Sequence, residues 1–201
     1  MDDIIDVLKR DCQPFIKEFG VQPYNPVYRG TQKEMSDYIL KVRSRRKMVP
    51  KDTPKHLHDL MDELFFKYHG WKARSEGVFV THSRSTARSY GWPVIFFPKG
   101  KYQYLWNPAV MDAYMSIEED IIPEVDSLEN VSMVRHLTKD DVNDEVFVNL
   151  LSRMINGYGN NGYKDIELSH EAMFKCYEYY IVSFENNAFD TKFLQRLKKS
   201  L

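Results

Sequence analysis

The apolar residues of this chain change their spacing near Gly70, and that change limits what it can fold into. Before it, Leu57, Leu60, Met61, Leu64, Phe65 and Tyr68 recur at intervals of three and four, which places them on one face of a helix. Thr53-Pro54 supplies a cap residue and a proline for the first helical position, and Gly70 a stop. After it come short runs of β-branched and aromatic residues punctuated by glycine and proline: Gly77–His82, Val94–Phe97 and Tyr102–Trp106. Helices, then strands, then a helix and strands again make an α+β arrangement.

The flanking segments fill in this plan. Residues 3–19 read as a helix interrupted near Pro14, with Ile4, Ile5, Val7 and Leu8 inward. Val27–Gly30 reads as a short strand, and Thr31-Gln-Lys-Glu34 as a capping box opening a helix that buries Met35, Tyr38, Ile39 and Val42. Pro98 and Gly100 suggest a hairpin between 94–97 and 102–106, and Asn107-Pro108 a short helix through Asp112. Thr138–Asp141 is expected to cap a helix carrying Val142, Val146, Leu150, Leu151, Met154 and Ile155. Strands at 171–177 and 179–184 and a helix at 188–200 complete the chain. With no repeat and no linker, residues 1–201 are expected to form one domain, helical to about 70 and sheet-rich beyond.

Charge excludes some partners. The 28 Lys+Arg nearly cancel the 29 Asp+Glu, so no overall field draws the chain to nucleic acid or membrane. The local exception is Arg43–Lys51, readable as a solvated connection or, with Arg74, as a phosphate-contacting surface. The two cysteines form no CxxC, and the histidines show no ligand spacing except His56/His58, which face different sides of a helix, so no metal is expected and a reducing compartment is favoured. An acidic, amphipathic N-terminus without a long apolar run predicts a soluble, cytoplasmic protein.

Three short motifs carry the candidate chemistry. Tyr28-Arg29-Gly30 places an arginine at a strand end. Phe79-Val-Thr81-His-Ser83 ends a strand in hydroxyl residues ahead of Ala87 and Tyr90, with Ser85-Thr86 as a shifted register. Ser169-His170-Glu171 opens a strand after a Gly/Asn-rich loop. In this order the motifs resemble the arginine, Ser-Thr-Ser and glutamate motifs of the ADP-ribosyltransferase superfamily, and more narrowly small ADP-ribosyltransferase-like proteins of bacterial viruses. The resemblance implies two packed mixed β-sheets around an NAD cleft, with an N-terminal helical portion. It implies an enzyme that moves ADP-ribose from NAD to a protein or nucleic-acid acceptor of a host cell and releases nicotinamide.

On that resemblance Glu171 is the catalytic carboxylate, and cleavage of a glycosidic bond builds positive charge that a carboxylate steadies. Arg29 offers a planar fork to the cofactor's phosphates, and Gly30 an open backbone for the nicotinamide amide. Thr81 and Ser83 would orient Glu171, Phe96 or Phe97 would wall the nicotinamide ring, and Tyr163 in the 157–170 loop would meet the acceptor. Ser169 stands where arginine-modifying relatives usually carry a second glutamate, which argues against arginine as acceptor. Glu118 and Glu119 rank below Glu171, lying in an acidic stretch. Two other readings remain: a viral binding or virion-associated module that keeps the fold without turnover, and a nucleic-acid binder using 43–51.

Overall fold

The computed structural model describes residues 2–32, 35, 38–44, 48, 53–163, 170–183 and 187–201. In chain order it contains α1 (Asp2–Asp11), α2 (Gln13–Phe19), β1 (Tyr28–Thr31), β2 (Ile39–Arg43), α3 (Lys55–His69), α4 (Ala73–Glu76), β3 (Val78–Thr81), α5 (Arg84–Ser89), β4 (Trp92–Pro98) and β5 (Tyr102–Trp106). There follow α6 (Ala113–Ser116), a run of short irregular turns, α7 (Glu145–Asn156), β6 (Glu171–Cys176), β7 (Glu178–Val182) and α8 (Asn187–Lys199).

The strands form one seven-stranded sheet in the order β2-β7-β4-β1-β3-β6-β5, and every pairing is antiparallel. The expected pair of mixed sheets is corrected to this single antiparallel sheet, and its shape explains the difference. β1 and β3 share one residue pair, Tyr28↔Thr81. In a flat sheet Phe96 on β4 and Phe174 on β6 would stand three strands apart, about 14 Å, yet their ring centroids are 5.4 Å apart. The sheet is therefore creased between β1 and β3, so that its two halves face each other.

One bent ribbon serves both halves. β4 pairs with β7 from Ile95↔Val182 to Pro98↔Tyr179, and β5 pairs with β6 from Tyr102↔Cys176 to Trp106↔Ala172. At the bend, Lys99 N donates to Glu178 O at 2.9 Å. The expected 94–106 hairpin is thus not formed. Val94, Ile95, Phe96 and Phe97 are all buried, so β4 is covered on both faces and lies inside the sheet between β1 and β7.

Two cores follow from the alternation of side chains along the strands. Between the halves, Phe174 lies 5.1–6.3 Å from the rings of Phe15, Phe19, Phe96, Tyr102, Tyr104 and Tyr163. α8 adds Phe193, Leu194 and Leu197 to this core. On the other side, Met173 and Leu105 leave the sheet toward Leu57, Met61 and Phe65 of α3 and Phe147 and Leu151 of α7. Glu171 shares a strand face with Met173, so it looks toward this second core.

Several local expectations change. Residues 39–43 are a strand at the sheet edge, not a helix, because pairing with β7 outweighs the capping-box signal; Tyr38 is exposed and Val42 half-buried. The region expected to be mainly helical therefore contains β2 in addition to the expected strand β1. Residues 107–112 form a turn held by Asn107, and α6 begins only after Asp112, whose carboxylate accepts from Tyr114 N and Met115 N. α7 begins at Glu145 because Asp144, and not Thr138, accepts from Val146 N and Phe147 N. No described helix is long and apolar enough to cross a membrane.

Candidate active site around Glu171

The three motif strands lie side by side. Thr81 pairs with Tyr28 on one side and with Glu171 on the other, so the beginning of β1, the end of β3 and the beginning of β6 meet in one row. Tyr28, Thr81 and Glu171 share that row, which sends Arg29 to the opposite face of β1.

Glu171 is anchored by its backbone, whose N–H donates to Met111 O at 2.9 Å. Its side chain is 18% exposed and faces Arg74, whose NH1 lies 3.6 Å from Glu171 Oε1 while its side chain is 8% exposed. Neither Oε1 of Glu171 nor Nε of Arg74 has a hydrogen-bond partner, although both are buried. Burial lifts the Glu171 carboxyl to about 7; the Arg74 cation opposes this and the Asp112 carboxylate adds to it. Asp112 in turn accepts from Tyr90 OH at 3.1 Å. Tyr90 and the buried Tyr158 feel the Glu171 charge, and their hydroxyls are pushed above the usual range, first by burial.

The Arg74 guanidinium also stands 5.1 Å from the centroid of the Phe79 ring. Phe79 joins the two arginines, since its backbone oxygen accepts from Arg29 NH1 at 3.2 Å. Arg29 further lies 5.8 Å from the Tyr179 ring centroid, within the crease between the halves. The cation facing Glu171 is therefore Arg74. Its sequence signal was weak, an arginine among polar residues before Gly77, and only the packing of α4 reveals its partner.

Other candidate residues have different surroundings from those expected. A Cβ on Gly30 would stand 2.4 Å from Ala87 O and 2.7 Å from Tyr90 Cβ, so the missing side chain admits α5 rather than a ligand. Ser83 caps α5, accepting from Thr86 N at 3.1 Å, and also bonds the hydroxyls of Thr86 and Ser85. The cap is thus Ser83 itself, which directs this hydroxyl to the helix and not to Glu171. Thr81 is buried, with its hydroxyl accepting from Ser83 N at 3.1 Å. Phe96 and Phe97 are both core residues, packed on Phe15 from α2, and neither is open to a nicotinamide ring.

Tyr163 is corrected most sharply. It is 0% exposed, its ring 4.6 Å from His82, and its hydroxyl donates to Val80 O and His170 O. It ties the loop to the core and cannot meet an acceptor. His82 completes the tie: Nδ1 faces Asn25 O and Pro26 O, and Nε2 faces Tyr163 O at 3.1 Å. Ser169, Glu167, Lys164 and most of the 43–51 segment lie outside the described residues.

Against protein-family models, curated proteins and solved structures, the chain finds no match. A cavity of about 20 Å³ beside Phe15, Phe96 and His82 has room for one water, and a shallow groove runs between α1 and β2 along Ile4, Val7 and Ile39. Neither includes Glu171, Arg74 or Arg29. No group of three or more His, Cys, Asp or Glu among the described residues is arranged to hold a metal ion. What the Glu171 site offers is a buried carboxyl poised near neutral pH with a cation beside it.

Proposed function

We propose that the protein is a mono-ADP-ribosyltransferase that uses NAD as its donor and Glu171 as its catalytic carboxylate. The observation that carries this reading is the row Tyr28–Thr81–Glu171, which sets the three motif strands next to one another with Glu171 at the end of the row. In the reaction the bond between nicotinamide nitrogen and ribose C1′ breaks, nicotinamide leaves with its electron pair, and an acceptor nucleophile bonds to C1′ and releases its proton to solvent. Ionised Glu171 accepts a hydrogen bond from a ribose hydroxyl and stabilises the cationic sugar as the bond lengthens. Its carboxyl near 7 makes that form available at neutral pH. The cation beside the reacting sugar on this reading is Arg74, while Arg29, which the resemblance assigns to the cofactor's phosphates, lies on the opposite face of β1.

A second reading, a binding module of the same ancestry without turnover, is favoured by the Arg74 contact to Glu171 and by the filled space at Gly30. The nucleic-acid reading loses Arg74, which is buried and faces Glu171.

The test is incubation with NAD labelled in the ADP-ribose moiety, alone and with bacterial lysate, beside Glu171→Gln. Nicotinamide release or label transfer that disappears in the variant supports the transferase. NAD binding weakened in Arg29→Ala without turnover supports the binding module, and neither turnover nor binding overturns both.

A further inference from the structure

We infer that Asp62 is a positioning residue for the Glu171 carboxyl, acting through the backbone of Arg74. The inference rests on taking Glu171 as the reactive carboxylate; the clamp itself is visible without that assumption. α4 has four residues, and the residue before it, Lys72, makes no side-chain cap. A segment so short does not fix its own direction, because its first N–H groups lack acceptors.

Asp62, on α3 and 3% exposed, supplies those acceptors from outside. Its Oδ1 accepts from Arg74 N at 3.0 Å and Ser75 N at 3.2 Å, and its Oδ2 accepts from the Ser75 hydroxyl. His58, one turn earlier, places Nε2 3.0 Å from Ser75 Oγ and 3.5 Å from Asp62. Gly77 closes the other end: its N–H donates to Ala73 O at 3.0 Å, and a Cβ there would lie 2.3 Å from that oxygen and 3.0 Å from Met173 Cβ, so the single turn of α4 closes against β6. With its backbone held at both ends, Arg74 extends past Phe79 to Glu171.

The Ser75, His58 and Asp62 cluster is a clamp and not a hydrolytic triad. Serine and aspartate both approach Nε2 of His58, whereas a triad places them on opposite ring nitrogens, and Nδ1 of His58 is unpartnered. The clamp also holds Arg74 at an informative distance. At 3.6 Å the guanidinium acts on the charge of Glu171 without forming a hydrogen bond, and Oε1 is buried against it. The other titratable groups facing Glu171 are Asp112 ahead of α6, Tyr90 after α5, and Tyr158 and Tyr163 beyond α7.

The test follows the Glu171 carboxyl directly by carbon-13 NMR titration of the full chain labelled at glutamate carboxyls, with Glu171→Gln assigning the signal. Arg74→Gln should raise the midpoint by about one pH unit or more, and Arg74→Lys should recover part of that. Asp62→Ala, which removes a residue with no contact to Glu171, should raise it in the same direction. Asp62→Asn, which keeps one acceptor oxygen, should raise it less. Leu57→Ala, a cavity on the same helix, should leave it in place. The inference is overturned if both Asp62 variants keep the wild-type midpoint while Arg74→Gln moves it, or if Leu57→Ala moves it as far as Asp62→Ala. Should the titrations follow the expected order while the wild-type protein releases no nicotinamide, the clamp stands and the transferase reading alone falls.

Discussion

Replacing Glu171 by glutamine should stabilise the folded protein at pH 8 and change it little near pH 4.5. The carboxyl has an ordinary value of 4.5 and is held at about 7 in the folded chain, mainly by burial. The folded state therefore binds the proton more tightly than the unfolded state does. Stability conferred by that proton is present below pH 4.5 and is lost as pH rises through about 7. Over this interval, at about 1.4 kcal/mol per pH unit, the ionised form costs about 3 kcal/mol relative to the protonated one. Glutamine resembles the protonated acid in size and charge, and the Arg74 contribution is already contained in the shift.

Urea unfolding of wild-type and variant at pH 5 and pH 8 measures the effect as the change in their stability difference. A gain of about 2–3 kcal/mol for the variant at pH 8 is expected, with a wild-type stability that falls across the interval. A variant less stable than wild type at pH 8 would refute the reasoning. It would mean that the Arg74–Glu171 contact outweighs the burial of the charge. Loss of nicotinamide release together with gained stability would mark Glu171 as a residue kept for function at the expense of the fold.

Two further outcomes test the packing. Gly30→Ala should lower stability by about 1–3 kcal/mol in thermal or urea unfolding, because its Cβ would overlap backbone Ala87 O at 2.4 Å; a neutral result would show that α5 can withdraw from β1. Asp190, buried beside Arg84 and raised from 3.8 to about 6 chiefly by burial, likewise destabilises when ionised. Asp190→Asn should then gain up to about 3 kcal/mol at pH 7 but not at pH 4, and a loss at pH 7 would refute this.

The glutamate strand was legible in sequence because β6 is a short, largely apolar run after a Gly/Asn-rich loop, with Ala172, Met173 and Phe174 all buried, and that signal is local. α3 was legible for the same reason, as its apolar stripe spans the whole element and Gly70 ends it in a left-handed conformation. β2 was not, because a five-residue edge strand carries little pattern of its own and its pairing with β7 joins residues far apart in the chain. The 94–106 hairpin misled for a related reason. Proline and glycine signal a turn, but here they mark a bend in a ribbon whose partner, β6 and β7, lies 66 to 87 residues later in the chain.

At the site, the sequence by itself determined the candidate carboxylate and the order of the three motifs, because those depend on residue identity and local strand pattern. It also placed Phe96 or Phe97, Gly30 and Tyr163 at a ligand surface, and their burial could not be read from identity, since an aromatic side chain or a glycine suits a core as well as a cleft. Only the tertiary structure decided that β1, β3 and β6 are adjacent, that the sheet is creased between β1 and β3, and that Arg74, not Arg29, faces Glu171. The physical reason is that charge and burial act through space: the low-dielectric surroundings that lift Glu171, and the Arg74 cation that opposes them, come from segments far from it along the chain.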